Sequence, residues 1–238
     1  MPSGSSVALT LTILFASTLT RSTLGFGDAL IAMPLLTLVV GIKTTTPLVA
    51  LVALTIALTI SLSSWRQIDV KAVWRLIVST LVGIPFGLFL LETASETLVK
   101  AVLGVLLISF GLYNLIQPRL PKIEHRGLEY VVGFVAGVLG GAYNTNGPPI
   151  VIYGTLRRWS PERFRATLQG YFLSSVLIVV GHGVAGLWTG TVLRLYVYAL
   201  PVALVAIYLG GKLNQSIPRG QFDRFVYVAL IIMGFLLF

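Results

Sequence analysis

The chain has 238 residues, of which 56% are hydrophobic and only 11% are charged, and its mean hydropathy is +0.92. A soluble domain carries about 25% charged residues, so the composition excludes a soluble globular domain and is typical of an integral membrane protein. The formal net charge of +9 comes from basic residues in short loops between apolar runs, so we expect membrane lipid as the partner and no nucleic acid. The chain has no cysteine and no paired histidine motif, so we expect no metal and no cofactor.

The apolar segments divide into long and short ones along the chain. Crossing the hydrocarbon core takes about 20 helical residues, and five segments reach that length: 45–64, 72–91, 97–116, 167–188 and 192–211. Segment 7–24 is followed at once by 28–42, and segment 128–144 is followed at once by 148–157. The second member of each pair is too short to cross, because ten helical residues rise only about 15 Å. A last short segment covers 225–238.

The two halves of the chain repeat the same order of segments. At an offset of 115 residues, the stretch 25–35 (GFGDALIAMPL) lies over 140–150 (GGAYNTNGPPI). Later in the halves the offset becomes 123, and Gly111 then meets Gly234. We therefore predict an internal duplication. Its parts are a first repeat at 1–117, a cytoplasmic linker at 118–127 and a second repeat at 128–238, all within one membrane domain.

The distribution of basic residues predicts the orientation in the membrane. If each pair enters and leaves on one face, thirteen basic residues fall on that face and three on the other. The first set is Arg66, Lys71, Arg75, Arg119, Lys122, Arg126, Arg157, Arg158, Arg163, Arg165, Lys212, Arg219 and Arg224. The second set is Lys43, Lys100 and Arg194. Lysine and arginine accumulate in cytoplasmic loops, so the first face is predicted to be cytoplasmic and both termini extracytoplasmic.

The parity of the segments then predicts the fold class. Each half has an odd number of full spans, so the two halves insert with opposite topology. We expect an all-α integral membrane protein of two inverted repeats, each with a broken or re-entrant helix pair plus three transmembrane helices. The parity is the same whether a pair crosses fully or dips in and returns; the short second arms favour dipping.

The helix breaks are polar, glycine-rich stretches in apolar surroundings: GFGD at 25–28 and YNTNGPP at 143–149. In secondary transporters, broken helices of inverted repeats meet near the membrane midplane and form the substrate site. Asn146 is suited to cap the half-helix 148–157, and Asp28 to cap the half-helix 29–42. Two helix N-termini that meet favour an anion. The alternative is an ordinary turn in water, because segment 128–144 is long enough to cross alone.

The expected substrate-binding residues come from both breaks: Arg21, Gly25, Gly27, Tyr143, Asn144, Thr145, Asn146, Gly147 and Pro148. Charged groups inside a membrane are costly and mark functional sites, so Arg21 would bind the anion and Asp28 would be the coupling residue, neutralised by a proton or cation. The alternative for these two is a structural ion pair. For Gly140 and Gly141 the alternative is close helix packing. His182 is expected to be structural or to lie at an entrance.

The paired motifs resemble those of the TauE/SafE sulfite exporter family, also called the toluene sulfonate uptake permease family, over essentially the whole chain. The matching residues are Gly25, Gly27 and Pro34 in the first motif, and Gly140, Gly141, Asn144, Gly147, Pro148 and Pro149 in the second. Asp28 and Ala29 stand where more glycine is expected. The resemblance implies transport of small sulfur-containing anions such as sulfite or organosulfonates, or of carboxylates. The residues by themselves indicate a small-anion transporter.

The favoured function is therefore a secondary transporter in the inner (cytoplasmic) membrane that works by alternating access. Its partners would be the anion, a coupling proton or sodium ion, and lipid, and a homodimer is compatible with the sequence. An anion channel is the first alternative. A membrane enzyme is the second, but the chain offers no nucleophile–base pair or metal cluster to serve one, and it has no nucleotide-binding GxxxxGK[ST] motif.

Overall fold

The computed structural model describes residues 4–64, 70–116, 127–159, 167–168, 170–214, 227–228 and 230–237, and all regular structure in these ranges is helical. The helices are α1 (Gly4–Leu24), α2 (Asp28–Val40), α3 (Ile42–Ser64), α4 (Val70–Thr93), α5 (Glu96–Ile116), α6 (Leu128–Tyr143), α7 (Gly147–Leu156), α8 (Ser175–Val184) and α9 (Gly190–Asn214). Residues 227–228 and 230–235 are also helical, and we call them the C-terminal helix. Most of the predicted linker lies outside the described residues, as do Arg66, Arg119, Lys122, Arg126, Arg163, Arg165, Arg219 and Arg224.

Four of the five predicted long segments are confirmed as helices that are long and apolar enough to cross a membrane. They are Ile42–Leu62, Val73–Thr93, Glu96–Ile116 and Gly190–Leu213. The chain is therefore an all-helical integral membrane protein, as its composition predicts.

The fifth long segment, 167–188, is predicted as one full span, but the structure has a shorter apolar helical stretch, Gly170–Val184, interrupted by a tight turn. The chain turns at Leu173 and Ser174, and α8 begins only at Ser175. The backbone N–H of Ser174 donates to the Tyr171 carbonyl at 2.9 Å, which is the tighter i→i−3 pattern. The hydroxyl of Ser174 also donates to the Tyr171 carbonyl, at 2.5 Å, and Ser175 donates to the Phe172 carbonyl at 2.6 Å. Serine hydroxyls thus satisfy backbone groups that a continuous helix would have paired.

The predicted side-chain caps of the two half-helices are not formed. Gly27, with φ 102°, occupies the N-cap position of α2, and Asp28 is already the first helical residue. Asn146 does occupy the N-cap position of α7, but its side chain makes no capping hydrogen bond. The Asp28 carboxylate binds Arg21 instead, which explains why it does not turn back to its own helix.

The closest helix pairing joins α4 to α6, and glycine makes it possible. A Cβ at Gly83 or Gly87 of α4 would collide with backbone atoms of α6, and one at Gly137 or Gly141 of α6 would collide with backbone of α4. Small residues allow helices to approach this closely in membranes. Close packing is therefore the correct reading for Gly141. Gly140 instead faces the side chains of Ile178 and Asn146.

The contact between α5 and the C-terminal helix is reciprocal. A Cβ at Gly111 would collide with Ile231 and approach the Tyr227 carbonyl, whereas one at Gly234 would collide with Ile108 and approach the Gly104 carbonyl. Gly111 and Gly234 are 123 residues apart, as are Ile108 and Ile231. Reciprocal contacts of this kind are what a two-fold relation between similar units produces. α1 packs along α9.

Candidate functional site

The two helix breaks line one cavity. Eight of the residues expected to bind substrate or couple its transport contribute to it: Arg21, Gly27, Asp28, Asn144, Thr145, Asn146, Gly147 and Pro148. The other lining residues are Phe26, Ala29, Leu30, Ala53, Phe172 and Ser175. The free volume is about 20 Å³, which is room for about one water molecule. The structure therefore brings the polar stretches of both halves together around one small space.

Arg21 and Asp28 form a buried ion pair at the first break. Arg21 Nη1 lies 2.7 Å from Asp28 Oδ2, and the two side chains are 2% and 10% exposed. The guanidinium carbon also lies 4.5 Å from the centroid of the Phe172 ring, close enough for a cation–π interaction. The ion-pair alternative for these residues is thus present in this conformation.

The ion pair uses only part of the guanidinium. Within the described part of the chain, Arg21 Nε and Nη2 have no hydrogen-bond acceptor. Asn146 Nδ2 has none with good geometry, although its amide lies near the Tyr171 hydroxyl. As whole residues, Arg21 is 1% exposed and Asn146 is 5% exposed, so these donors have little access to solvent. Buried donors without acceptors are rare and costly. Nε and Nη2 form the edge of the guanidinium that binds two oxygens of one oxyanion side by side.

The first break supplies backbone donors because glycine lets the chain reverse tightly. Gly25 and Gly27 have φ values of 91° and 102°, which L side chains adopt only with strain. The helix α2 then starts directly at the cavity, where Asp28, Ala29 and Leu30 are lining residues. Their N–H groups lie in the first turn, where a helix offers no internal acceptor. Gly25 itself does not line the cavity.

The second break is built differently. Asn144 adopts the left-handed conformation, with φ 50°, and its N–H donates to the Gly140 carbonyl at 2.8 Å. The Thr145 hydroxyl donates to the Tyr143 carbonyl at 2.9 Å. Pro148 and Pro149 lack an N–H, so the first turn of α7 offers fewer backbone donors than that of α2. At this break, hydrogen-bond donors therefore come from side-chain amides more than from backbone N–H groups.

The break before α8 contributes residues that the sequence reasoning missed. Phe172 and Ser175 both line the cavity. Tyr171, which is fully buried, lies 2.9 Å from the Thr80 hydroxyl of α4. The signal in the sequence was the pair Ser174–Ser175 inside an otherwise apolar segment.

Tyr143 and His182 lie near the cavity without lining it. Tyr143 is fully buried, and its hydroxyl has no partner among the described residues. His182 is also fully buried, and its Nε2 lies 3.1 Å from the Gly141 carbonyl. His182 is therefore a core residue that joins α8 to α6, and it does not lie at an entrance. Among the described residues, no group of three His, Asp or Glu side chains could hold a metal ion.

A second charged cluster ties α4, α6 and α7 together away from the cavity. Glu129 Oε1 lies 3.0 Å from Arg75 Nη1, and Glu129 Oε2 lies 3.1 Å from Arg157 Nη2. Arg157 Nε donates to the Tyr153 hydroxyl at 2.9 Å. Burial opposes the charge of Arg157, but the Tyr153 hydroxyl and the Glu129 carboxylate outweigh burial and raise the pKa of Arg157. This cluster fixes the end of α7 opposite its cavity-facing N-terminus.

The chain matches a known protein family over nearly its whole length. The model of the sulfite exporter TauE/SafE family matches residues 9–237. The chain belongs to this family. The resemblance seen in the glycine and proline motifs is thereby confirmed, and the chain is a membrane transporter.

Two curated TauE/SafE-type relatives are similar over most of their length. One, from Cupriavidus necator, is described as a probable sulfite/organosulfonate exporter; it is 25% identical over 230 residues, which is 93% of this chain and 90% of the relative. The other, from Comamonas testosteroni, is described as a probable inner membrane transporter protein; it is 24% identical over 174 residues, 72% of this chain and 73% of the relative. No solved structure is significantly similar to the chain.

Proposed function

We propose that this protein is a secondary transporter of small oxyanions, sulfite or organosulfonates, and that it binds them in the cavity between the two helix breaks. The observation that carries the proposal is the set of buried donors without acceptors: Arg21 Nε, Arg21 Nη2 and Asn146 Nδ2. An oxyanion would satisfy all three at once. The class of sulfur anion rests on family membership and on the description of the Cupriavidus necator relative.

The proposed architecture is a pair of inverted repeats around this cavity. The reciprocal contacts of Gly111 and Gly234, at the 123-residue offset, support a two-fold relation between the halves. So does the convergence of the breaks at 25–28 and 143–149 on one space. Alternating access then follows if one repeat rocks against the other around the fixed site.

The size of the cavity supports a carrier over a channel. A free volume of about 20 Å³ holds one water molecule and is too small for sulfite, so the breaks must separate to admit the anion. A site that closes between binding events is what alternating access requires. A conducting channel would instead need a continuous open path.

The charges in the cavity support a coupling ion. Arg21 and Asp28 together are neutral, so an anion that enters alone would leave a buried negative charge. A proton or sodium ion that neutralises Asp28 would remove this cost. The carboxylate would at the same time release Arg21 Nη1 to the substrate.

The positions of the described basic residues support the proposed orientation. Arg75 and Arg157, both expected to be cytoplasmic, meet at Glu129. At the other end of α4, Lys43 and Glu96 line a common pocket, and Lys100 pairs with Glu96 at 2.9 Å. Two members of the first set, Arg75 and Arg157, thus lie at the opposite end of α4 from two members of the second set, Lys43 and Lys100. We place the Arg75 end on the cytoplasmic side of the inner membrane.

Counterflow in proteoliposomes tests this function. Liposomes loaded with unlabelled sulfite should accumulate external ³⁵S-sulfite transiently, and internal acetate should not replace internal sulfite. Net flux without exchange would instead support the channel. If internal acetate supports the uptake of labelled sulfite as well as internal sulfite does, the substrate class would include carboxylates. Failure of sulfite to exchange or flow under any gradient would contradict the proposal.

A further inference from the structure

An apolar groove, which we call the chamber, lies between α5, α6 and α7 and is broadly open at the surface of the protein. Its volume is about 490 Å³, and it is lined by apolar side chains except for Ser109 and Tyr113. Val131 and Val135 of α6 lie at its outer side, where they are 62% and 42% exposed. The chamber ends against Pro148 and Pro149 at the start of α7.

Only a thin apolar partition separates this chamber from the donor-lined cavity. Pro148 lines both spaces. Phe110, on the chamber side, packs edge-to-face against Phe26, on the cavity side, with ring centroids 6.4 Å apart. None of these three side chains carries a charge or a hydrogen-bonding group. A shift of the α7 tip or of the ring pair would therefore join the two spaces.

We propose that the chamber is a subsite for the apolar tail of an organic anion whose oxyanion head binds in the cavity. The inference rests on the proposed function, because the head must first be bound by Arg21 and Asn146. A cavity of about 20 Å³ offers no room for a tail, whereas the adjoining chamber offers about 490 Å³. Among organosulfonates, the subsite would select those with short apolar tails.

The lining of the chamber also predicts which tails are rejected. Moving a charged ammonium from water into apolar surroundings without a partner is very costly. Within the described ranges, no acidic side chain lines the chamber. A sulfonate that carries an ammonium on its tail, such as taurine, should therefore bind more weakly than an alkanesulfonate of equal length.

Competition of alkanesulfonates with ³⁵S-sulfite for the full chain in lipid nanodiscs tests the subsite. Methane-, butane- and hexanesulfonate should bind with rising affinity, by about fourfold for each methylene buried. Taurine should bind with lower affinity than methanesulfonate. Hexanol serves as the uncharged control and should not compete, because it lacks the head.

Filling the chamber should remove the effect of the tail. In Val135→Trp or Ile152→Phe, the ratio of hexanesulfonate to methanesulfonate affinity should fall towards one. Val82→Trp is the matched control: Val82 is 57% exposed on α4 and does not line the chamber, so it should keep the wild-type ratio. A chain-length effect that is absent in wild type, or unchanged in both filled variants, would overturn the subsite and leave the chamber to lipid. If neither sulfite nor any sulfonate binds, the proposed function itself fails.

Discussion

The first and second helix breaks meet at the same cavity but reach it by different chemistry. The first break reverses the chain with Gly25 and Gly27, carries the ion pair of Arg21 and Asp28, and exposes the N–H groups that begin α2. The second break reverses at Asn144 and has no charged residue between 140 and 150. Its two prolines remove N–H groups, and its donors are side-chain amides.

The two breaks therefore contribute different kinds of group to the site. Charge and backbone donors are concentrated at the first break, and neutral side-chain donors at the second. In a cavity with one cation, one carboxylate and neutral amides, a bound anion leaves a net negative charge unless the carboxylate is neutralised. The asymmetry therefore predicts that replacing Arg21 or Asp28 at the first break changes the charge balance of the site, whereas a neutral replacement at the second break changes only the fit of the anion.

The largest effect is expected at Arg21. Arg21→Gln leaves Asp28 as a buried charge without its partner, which destabilises a protein by about 3–5 kcal/mol, and it removes the side-on donor edge. The double variant Arg21→Gln/Asp28→Asn removes both charges and should regain most of this stability. Thermal unfolding and sulfite titration separate the two roles. Sulfite affinity that recovers in the double variant would show that Arg21 acts only through Asp28.

The next effect is expected at Asn146. Asn146→Asp places a negative charge beside the anion, and two like charges about 4 Å apart repel by roughly 4 kcal/mol at an effective dielectric constant near 20, close to a thousandfold in affinity. Asn146→Ala removes one neutral donor and should cost about 0.5–1.5 kcal/mol. Calorimetric titration at two pH values measures both, and the defect of the Asp variant should shrink at lower pH as the new carboxyl is protonated. Equal affinities of the Asp variant and wild type at neutral pH would exclude Asn146 from the site.

A smaller effect is expected from the glycines that shape the breaks. Gly27→Ala forces an alanine into a positive φ, which costs about 1–3 kcal/mol, although a Cβ there would have room, 3.9 Å from Thr20 Cγ2. Gly190→Ala is the matched control, because Gly190 has no positive φ and a Cβ there would meet nothing within 4 Å. The melting temperatures of the two variants measure the loss of stability in each. Equal losses would mean that the first break does not depend on left-handed glycine.

The smallest effect is expected at Asn144. Asn144→Gly keeps the left-handed turn, which glycine adopts at least as readily, so stability should change by no more than about 0.5 kcal/mol. Only the loss of one polar group facing the cavity should weaken sulfite binding, by a few-fold. A large loss of stability would show that the side chain holds the turn, and unchanged binding would remove Asn144 from the site.

The sequence predicted most of the architecture because hydrophobic length and glycine spacing are local signals. Four long spans, two short half-helices and the meeting of the breaks all followed from them. The break before α8 was missed, because its Ser174–Ser175 signal is weak inside an apolar run. The sequence suggested capping by Asp28 and Asn146, but a capping side chain can be bound by another group in the folded protein. The Asp28 carboxylate accepts a hydrogen bond from Arg21 instead. The closing of the cavity around Phe172 is a tertiary feature with no local signature.

The central claim is that an oxyanion binds between Arg21 and Asn146. Selenite has the shape and charge of sulfite, and selenium scatters anomalously, so a selenite-soaked crystal tests the claim directly. We expect one strong anomalous peak between the two breaks, with selenite oxygens about 2.7–3.2 Å from Arg21 Nη2 and Asn146 Nδ2. We also expect the peak to disappear in the Arg21→Gln/Asp28→Asn variant. Selenite bound elsewhere, with this cavity empty, in protein that transports sulfite would contradict oxyanion binding between Arg21 and Asn146.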